Sequence, residues 1–230
     1  MAAQLVGISL LLAAVALSTF NAVTVERFAW DLTLMEWVQK LGVGSLHGVL
    51  FWMGVRGFAG AVMAGTAAWL WLRGHRVEAV MIVIMLIPDA SSFILRDIYD
   101  RPRPSGDIVN VYGGPQGFSY PSGTAMHTML FYGWVIYLLP RLTRSVNIRY
   151  GLSAFLVGWI GLHGLWVVHH GRHWPSDVLG GYLYGLMYLI VIINLYPFVR
   201  RWDTRCPQVL DWVDGSLRRL RSQLGLVRSR

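Results

Sequence analysis

YGLSAFLVGWIGLHGLWVVHHGRHWPSDVLGGYLYGLMYLIVIINLY, residues 150–196, consists of two long apolar runs joined by a short polar segment. The runs, 150–168 and 176–196, each reach the ~20 residues that an α-helix needs to cross a bilayer. His173 and Asp177 stand at their junction, four residues apart, a separation that lets two side chains meet across one helical turn. A carboxylate in that position fixes the tautomer of the imidazole and leaves the other ring nitrogen free to attack. An isolated His-x-x-x-Asp reads first as a helix cap, so the pair needs company to mean more.

The same alternation of apolar run and polar junction continues outward. Of 230 residues, 55% are hydrophobic and only 14% charged, where soluble domains carry roughly 25% charged residues. Further apolar runs cover 4–20, 46–72, 77–95 and 122–139. The expected fold is all-α, a polytopic membrane protein with six transmembrane helices in a bundle. The first run lacks a basic leader and a clear cleavage site, so it reads as an anchor rather than a signal peptide. Residues 29–40, AWDLTLMEWVQK, read as an amphipathic helix at the interface. Residues 1–200 form one membrane domain and 201–230 a basic tail. There Leu217, Leu220, Leu224 and Val227 recur among arginines, either as a helix on an anionic leaflet or as a solvated terminus.

Cys206 is the only cysteine, which excludes a disulfide framework and a cysteine metal site within the chain. The net charge is +8, but the basic residues bracket membrane spans, which points to anionic lipid headgroups and not to nucleic acid. Arg73, Arg76, Arg141, Arg144, Arg149, Arg200 and Arg201 fall on the side of the termini. By the positive-inside rule both termini are cytoplasmic, in the inner or plasma membrane, and the polar junctions face outward at the helix ends.

Two more junctions share that face. Arg96, Arg101 and Arg103 offer forked donors suited to phosphate oxygens, in a segment stiffened by Pro102 and Pro104. Pro121-Ser122-Gly123 opens a span, where ordinary helix punctuation also creates an anion site from free amides and the helix dipole. His163, His169 and His170 do not make a metal site, because adjacent histidines cannot share a helix face and no carboxylate cluster follows. Arg56 and Asp89 are charges within spans, at depths of ~15 and ~10 Å, close enough to form a buried pair.

In order and spacing the three clusters resemble the type 2 phosphatidic acid phosphatase superfamily of integral membrane lipid phosphatases. Its pattern is lysine, six residues, Arg-Pro; then Pro-Ser-Gly-His; then Ser-Arg, five residues, histidine, three residues, aspartate. Arg96 with Arg103-Pro104, Pro121-Ser122-Gly123, and His173 with Asp177 occupy those positions, and the likeness covers roughly residues 46–196. The resemblance implies that His173 forms a phosphohistidine and Asp177 orients it. Arg96, Arg103, Ser122, the Gly123 amide and the adjacent Thr124 would hold the phosphoryl group. No cofactor or metal is implied, and the substrate would be a lipid phosphate or diphosphate.

Three positions depart from the pattern. Arg96 replaces lysine, Thr124 replaces the histidine that protonates the leaving group, and Trp166-Val167 replace Ser-Arg. His127, three residues past Thr124 and ~4.5 Å deeper along the helix, is either a displaced acid or a histidine bonded to a neighbouring helix. Arg56 is either half of an ion pair with Asp89 or a substitute for the arginine absent at Val167. A diphosphate substrate would need no acid, since its leaving phosphate has a second pKa near ~6. The leading expectation is thus a lipid phosphatase that prefers polyprenyl diphosphates. A phosphotransferase using the same site and a non-catalytic lipid-phosphate-binding descendant are the alternatives.

Overall fold

The computed structural model of the chain describes residues 2–41, 56–112, 117–205 and 215–216. Seven helices lie within them: α1 (Ala2–Thr24), α2 (Ala29–Gln39), α3 (Arg56–Leu72), α4 (Arg76–Tyr99), α5 (Gly123–Leu142), α6 (Val146–His169) and α7 (Pro175–Arg205). The fold is all-helical, and each run read as a span is a helix. Residues 46–55 of the second run lie outside the described residues. So does most of the basic tail, while 201–205 extend α7.

The boundaries follow from local chemistry. Ser122 and Ser145 cap α5 and α6, accepting the Ala125 and Ile148 amides at 3.4 Å. Pro175 occupies the first turn of α7, where its missing N–H costs nothing. Asp100 closes α4 in the left-handed region at φ 50°.

Among the described residues, four helices are long and apolar enough to cross a bilayer: Gln4–Thr24, Arg76–Tyr99, Val146–His169 and Pro175–Trp202. α5 packs against α4, α6 and α7 at the centre of the bundle. A helix shielded by neighbours tolerates Thr124, His127 and Thr128 because they face protein and not lipid. α5 and α7 meet through glycines. A Cβ on Gly181 would lie 2.5 Å from the Ser122 carbonyl oxygen, and one on Gly185 2.7 Å from that of Met126. Small residues four apart thus let the two backbones approach closely.

α4 and α6 end, and α5 and α7 begin, at the same end of the bundle. The Ser122 amide donates to the Asp177 carbonyl there at 3.0 Å, which ties the starts of α5 and α7 together. α2 joins this end. Its Trp30, Leu34 and Trp37 are exposed, whereas Asp31, Met35 and Val38 on the adjoining face are buried against the bundle. The helix expected at 29–40 is therefore also part of the protein interior.

Gly181→Val should lower stability by about 1–3 kcal/mol through overpacking, read as a reduced melting temperature in detergent. Gly158→Ala, which has open space at its Cβ position, should leave it within about 0.5 kcal/mol of wild type.

Candidate active site

His173 sits in the turn between α6 and α7. Gly171 makes that turn at φ 65°, and any Cβ there would run into the Asn110 carbonyl oxygen, so the position needs glycine on two counts. The imidazole is buried. Its Nδ1 lies 2.9 Å from the Ser119 carbonyl oxygen and 3.7 Å from Asp177 Oδ2, and its Nε2 lies 3.2 Å from Arg103 Nη1. A carbonyl only accepts and a guanidinium only donates, so the proton belongs on Nδ1 and the lone pair on Nε2. Burial, reinforced by the Arg103 charge and opposed by Asp177, pushes the imidazole down to about 4. The ring is neutral at neutral pH.

Asp177 is fully buried in the first turn of α7. Its Oδ2 accepts the Trp174 amide at 2.7 Å and the Ser119 hydroxyl, and its Oδ1 accepts Arg101 Nη1 at 2.5 Å. The expected histidine–aspartate pair therefore has a third member. Ser119 bonds the imidazole through its carbonyl and the carboxylate through its hydroxyl.

Another side of this site is built on the start of α5. Ser122 is fully buried. The amides of Gly123 and Thr124 stand in the first turn, where no helical carbonyl lies four residues back to accept them. Arg96, buried near the end of α4, holds Nε on the Ser92 carbonyl at 3.0 Å, and its Nη1 lies 3.9 Å from where a Gly123 Cβ would be. Arg103 donates to the Gly117 carbonyl at 3.1 Å and to that of Arg172. Arg96, Arg103, Ser122, Gly123, His173 and Asp177 thus converge on one end of the bundle.

Arg101 does not join them as a phosphate donor. It is buried and taken up by Asp177, by Asp31 Oδ2 at 3.0 Å, by Ser176 Oγ at 2.8 Å and by the Glu26 carbonyl at 3.1 Å. Two carboxylates claim its forked face, which corrects its grouping with Arg96 and Arg103. Asp31, Ser119 and Ser176 were not singled out by the sequence reading. The one available signal was an aspartate in register with Met35 and Val38 on the inward face of α2.

The family model of the PAP2 superfamily matches residues 77–201, more than half of the chain. The chain belongs to the PAP2 superfamily. It is 25% identical over 114 residues to phosphatidylglycerophosphatase B of Bacillus subtilis (strain 168), a match covering 47% of this chain and 53% of that protein. The chain thus matches about half the length of that curated relative. A crystal structure described as the first transmembrane PAP2 type phosphatidylglycerolphosphate phosphatase from Bacillus subtilis superposes with a TM-score of 0.50 at 19% identity. That superposition covers 84% of this chain and 94% of the other, a likeness of fold.

The positions where this PAP2 chain departs from the superfamily pattern have definite surroundings. Trp166 and Val167 are buried in an apolar cluster with Met35, Val168, Trp174 and Val178, so the place of the missing Ser-Arg is filled by packing. Thr124 is half-buried in the first turn of α5. One turn deeper, His127 Nδ1 lies 3.0 Å from Asp89 Oδ2 on α4, with the side chains 13% and 25% exposed. His127 is therefore bonded to a neighbouring helix, and Asp89 has a partner on α5. The Arg56 side chain lies outside the described residues, and with it the expected Arg56–Asp89 pair.

His173 has a clear linkage consequence. Its folded value, about 4, lies below the ordinary 6.5, so the unfolded chain binds the proton more readily. Its contribution to stability is complete above about pH 6.5 and is lost as pH falls toward 4. Melting temperatures in detergent should fall across that window for the wild type, and less steeply for His173→Gln.

Proposed function

We propose that the chain is a metal-independent membrane lipid phosphatase that works through a phosphohistidine and prefers polyprenyl diphosphates. The observation that carries this reading is the setting of His173, with Nδ1 2.9 Å from the Ser119 carbonyl oxygen and Nε2 3.2 Å from Arg103 Nη1, which puts the lone pair on Nε2.

An incoming phosphoryl group would take Arg103 Nη1 from Nε2 onto one of its own oxygens, which uncovers the nucleophile as it binds the substrate. Arg96 and the Gly123 and Thr124 amides at the positive end of α5 would hold the remaining oxygens, with Ser122 fixing the turn that presents them. The Nε2 lone pair attacks phosphorus, the N–P bond forms, and the bond to the bridging oxygen breaks. Water then attacks the phosphohistidine, releasing inorganic phosphate and restoring the neutral ring. Asp177 and Ser119 keep Nδ1 as the donor throughout and stabilise the positive charge that develops on the imidazole.

The leaving group decides the substrate class. An alkoxide needs a proton, and Thr124 is a poor acid where the superfamily has histidine. A phosphate leaving from a diphosphate needs none. For a monoester the source of the proton would be His127, held by Asp89 beneath the anion site. Gly123 packs against Ser92, and His127, one turn further on α5, packs against Asp89, almost one turn back on α4.

The six-span count takes α3 and α5 as the two spans beyond the four that are long and apolar enough. The His173 end would face outward, since Arg76, Arg141 and Arg200 lie at the opposite ends of α4, α5 and α7.

Phosphate release by the purified protein should be faster from a polyprenyl diphosphate than from phosphatidic acid, and should drop roughly 10³-fold or more in His173→Ala. His127→Ala should cost about 10²-fold on phosphatidic acid and little on the diphosphate. Equal release from both lipids would remove the leaving-group argument, and release independent of His173 would remove the mechanism.

In intact cells a membrane-impermeant maleimide should leave Cys206, the only cysteine, unmodified until the membrane is permeabilised. Labelling from outside would invert the topology.

A further inference from the structure

We propose that Asp31, on the amphipathic helix α2, is a positioning residue for His173, acting through Arg101 on Asp177. The inference rests on the phosphatase reading above and extends it to a helix outside the 77–201 match.

A fully buried carboxylate must be surrounded by donors to stay charged. Asp31 is 0% exposed, and every contact it makes points toward the site or its own helix start. Its Oδ1 accepts the Ser176 amide at 2.8 Å, and its Oδ2 accepts Ser176 Oγ at 2.7 Å, Arg101 Nη2 at 3.0 Å and the Phe28 amide at 2.9 Å. Ser176 is the residue before Asp177, so Asp31 grips the first turn of α7 directly as well as through the guanidinium.

Arg101 transmits the second grip. A guanidinium is planar, and its donors are fixed relative to one another. With Nη2 on Asp31 and Nε on the Glu26 carbonyl, the plane has one orientation, and in that orientation Nη1 meets Asp177 Oδ1 at 2.5 Å. Asp177 is then left with Oδ2 for Trp174 and Ser119, and the Ser119 carbonyl holds His173 Nδ1. The chain of contacts runs without a gap from α2 to the nucleophile.

Charge and geometry act together. One guanidinium is shared between two carboxylates, so neither receives its full charge. Without the Asp31 charge, Arg101 would lose the partner that sets its plane and would turn wholly to Asp177, shifting the carboxylate from the place where it meets Ser119. A displacement of ~1 Å at a reacting group can cost ~10²-fold in rate. The side chains of Asp31, Arg101 and Asp177 are wholly buried, so a bound phosphate would meet none of them, and the effect belongs in turnover and not in binding.

The test compares the wild type, His173→Ala, Asp31→Asn and Asp31→Glu as purified full-length chains on a polyprenyl diphosphate. Asp31→Asn should lower kcat about 10- to 100-fold with KM within about 2-fold, and Asp31→Glu should recover part of the loss. Combining Asp31→Asn with Arg101→Lys should cost little more than Arg101→Lys alone, since the two act in one chain of contacts. If Asp31→Asn does not fold, Ser176→Ala removes only the hydroxyl link and should still lower kcat at unchanged KM. His173-dependent release with wild-type kcat in a folded Asp31→Asn or Ser176→Ala, or a loss seen only in melting temperature, would overturn the inference alone. Absence of release from the wild type, or release that persists in His173→Ala, would overturn the reading of the site and this inference with it.

Discussion

The burial of one carboxylate organises the His173 end of this bundle. Asp177 has no access to water, so every lone pair it presents must be met by protein. Arg101, Ser119 and the Trp174 amide meet its side chain, and the Ser122 amide meets its backbone carbonyl. These groups come from the segment after α4, the approach to α5, the turn before α7 and the cap of α5. Removing one partner from such a pair costs about 3–5 kcal/mol, because the remaining charge stays buried and uncompensated. The loops thus have little freedom to rearrange, and His173 inherits their rigidity through Ser119.

The two ends of the bundle use arginine differently. At the His173 end, arginines are held by carbonyls and carboxylates beside the positive end of α5, which suits a multiply charged anion. At the far end, the Arg141 guanidinium stacks over Tyr137 and Tyr196, and Arg200 donates to the Tyr196 hydroxyl, which itself donates to buried Glu78. Between the ends, close contact of α5 and α7 through Gly181 and Gly185 sets the distance from the amides at the start of α5 to Asp177. A fold element and a chemical distance are here the same constraint.

The departures from the superfamily pattern also become physical. Val167 is part of a packed apolar cluster, so an arginine there would need a new exit from the core. Thr124 keeps an amide at the helix start while giving up an imidazole. Under the proposed chemistry the site loses its proton donor and one cation and keeps the nucleophile with its supports. Such a site suits a substrate whose leaving group departs as an anion.

Much of this was legible in the chain itself. Helix positions follow from apolar runs of bilayer length, because a backbone in lipid must satisfy its own hydrogen bonds. The convergence of Arg96, Arg103, Ser122, Gly123, His173 and Asp177 follows from their places at alternate helix ends, which short connections force to one side. Tertiary structure alone decided the partners. Arg101 and Arg103 look alike in Arg-Pro-Arg-Pro, yet one is consumed by two buried carboxylates while the other faces the imidazole. Asp89 found His127, and Asp31 reached Ser176 from 145 residues away. Spacing along a helix specifies which face a side chain occupies. What stands opposite that face depends on how the helices pack, and no local pattern encodes it.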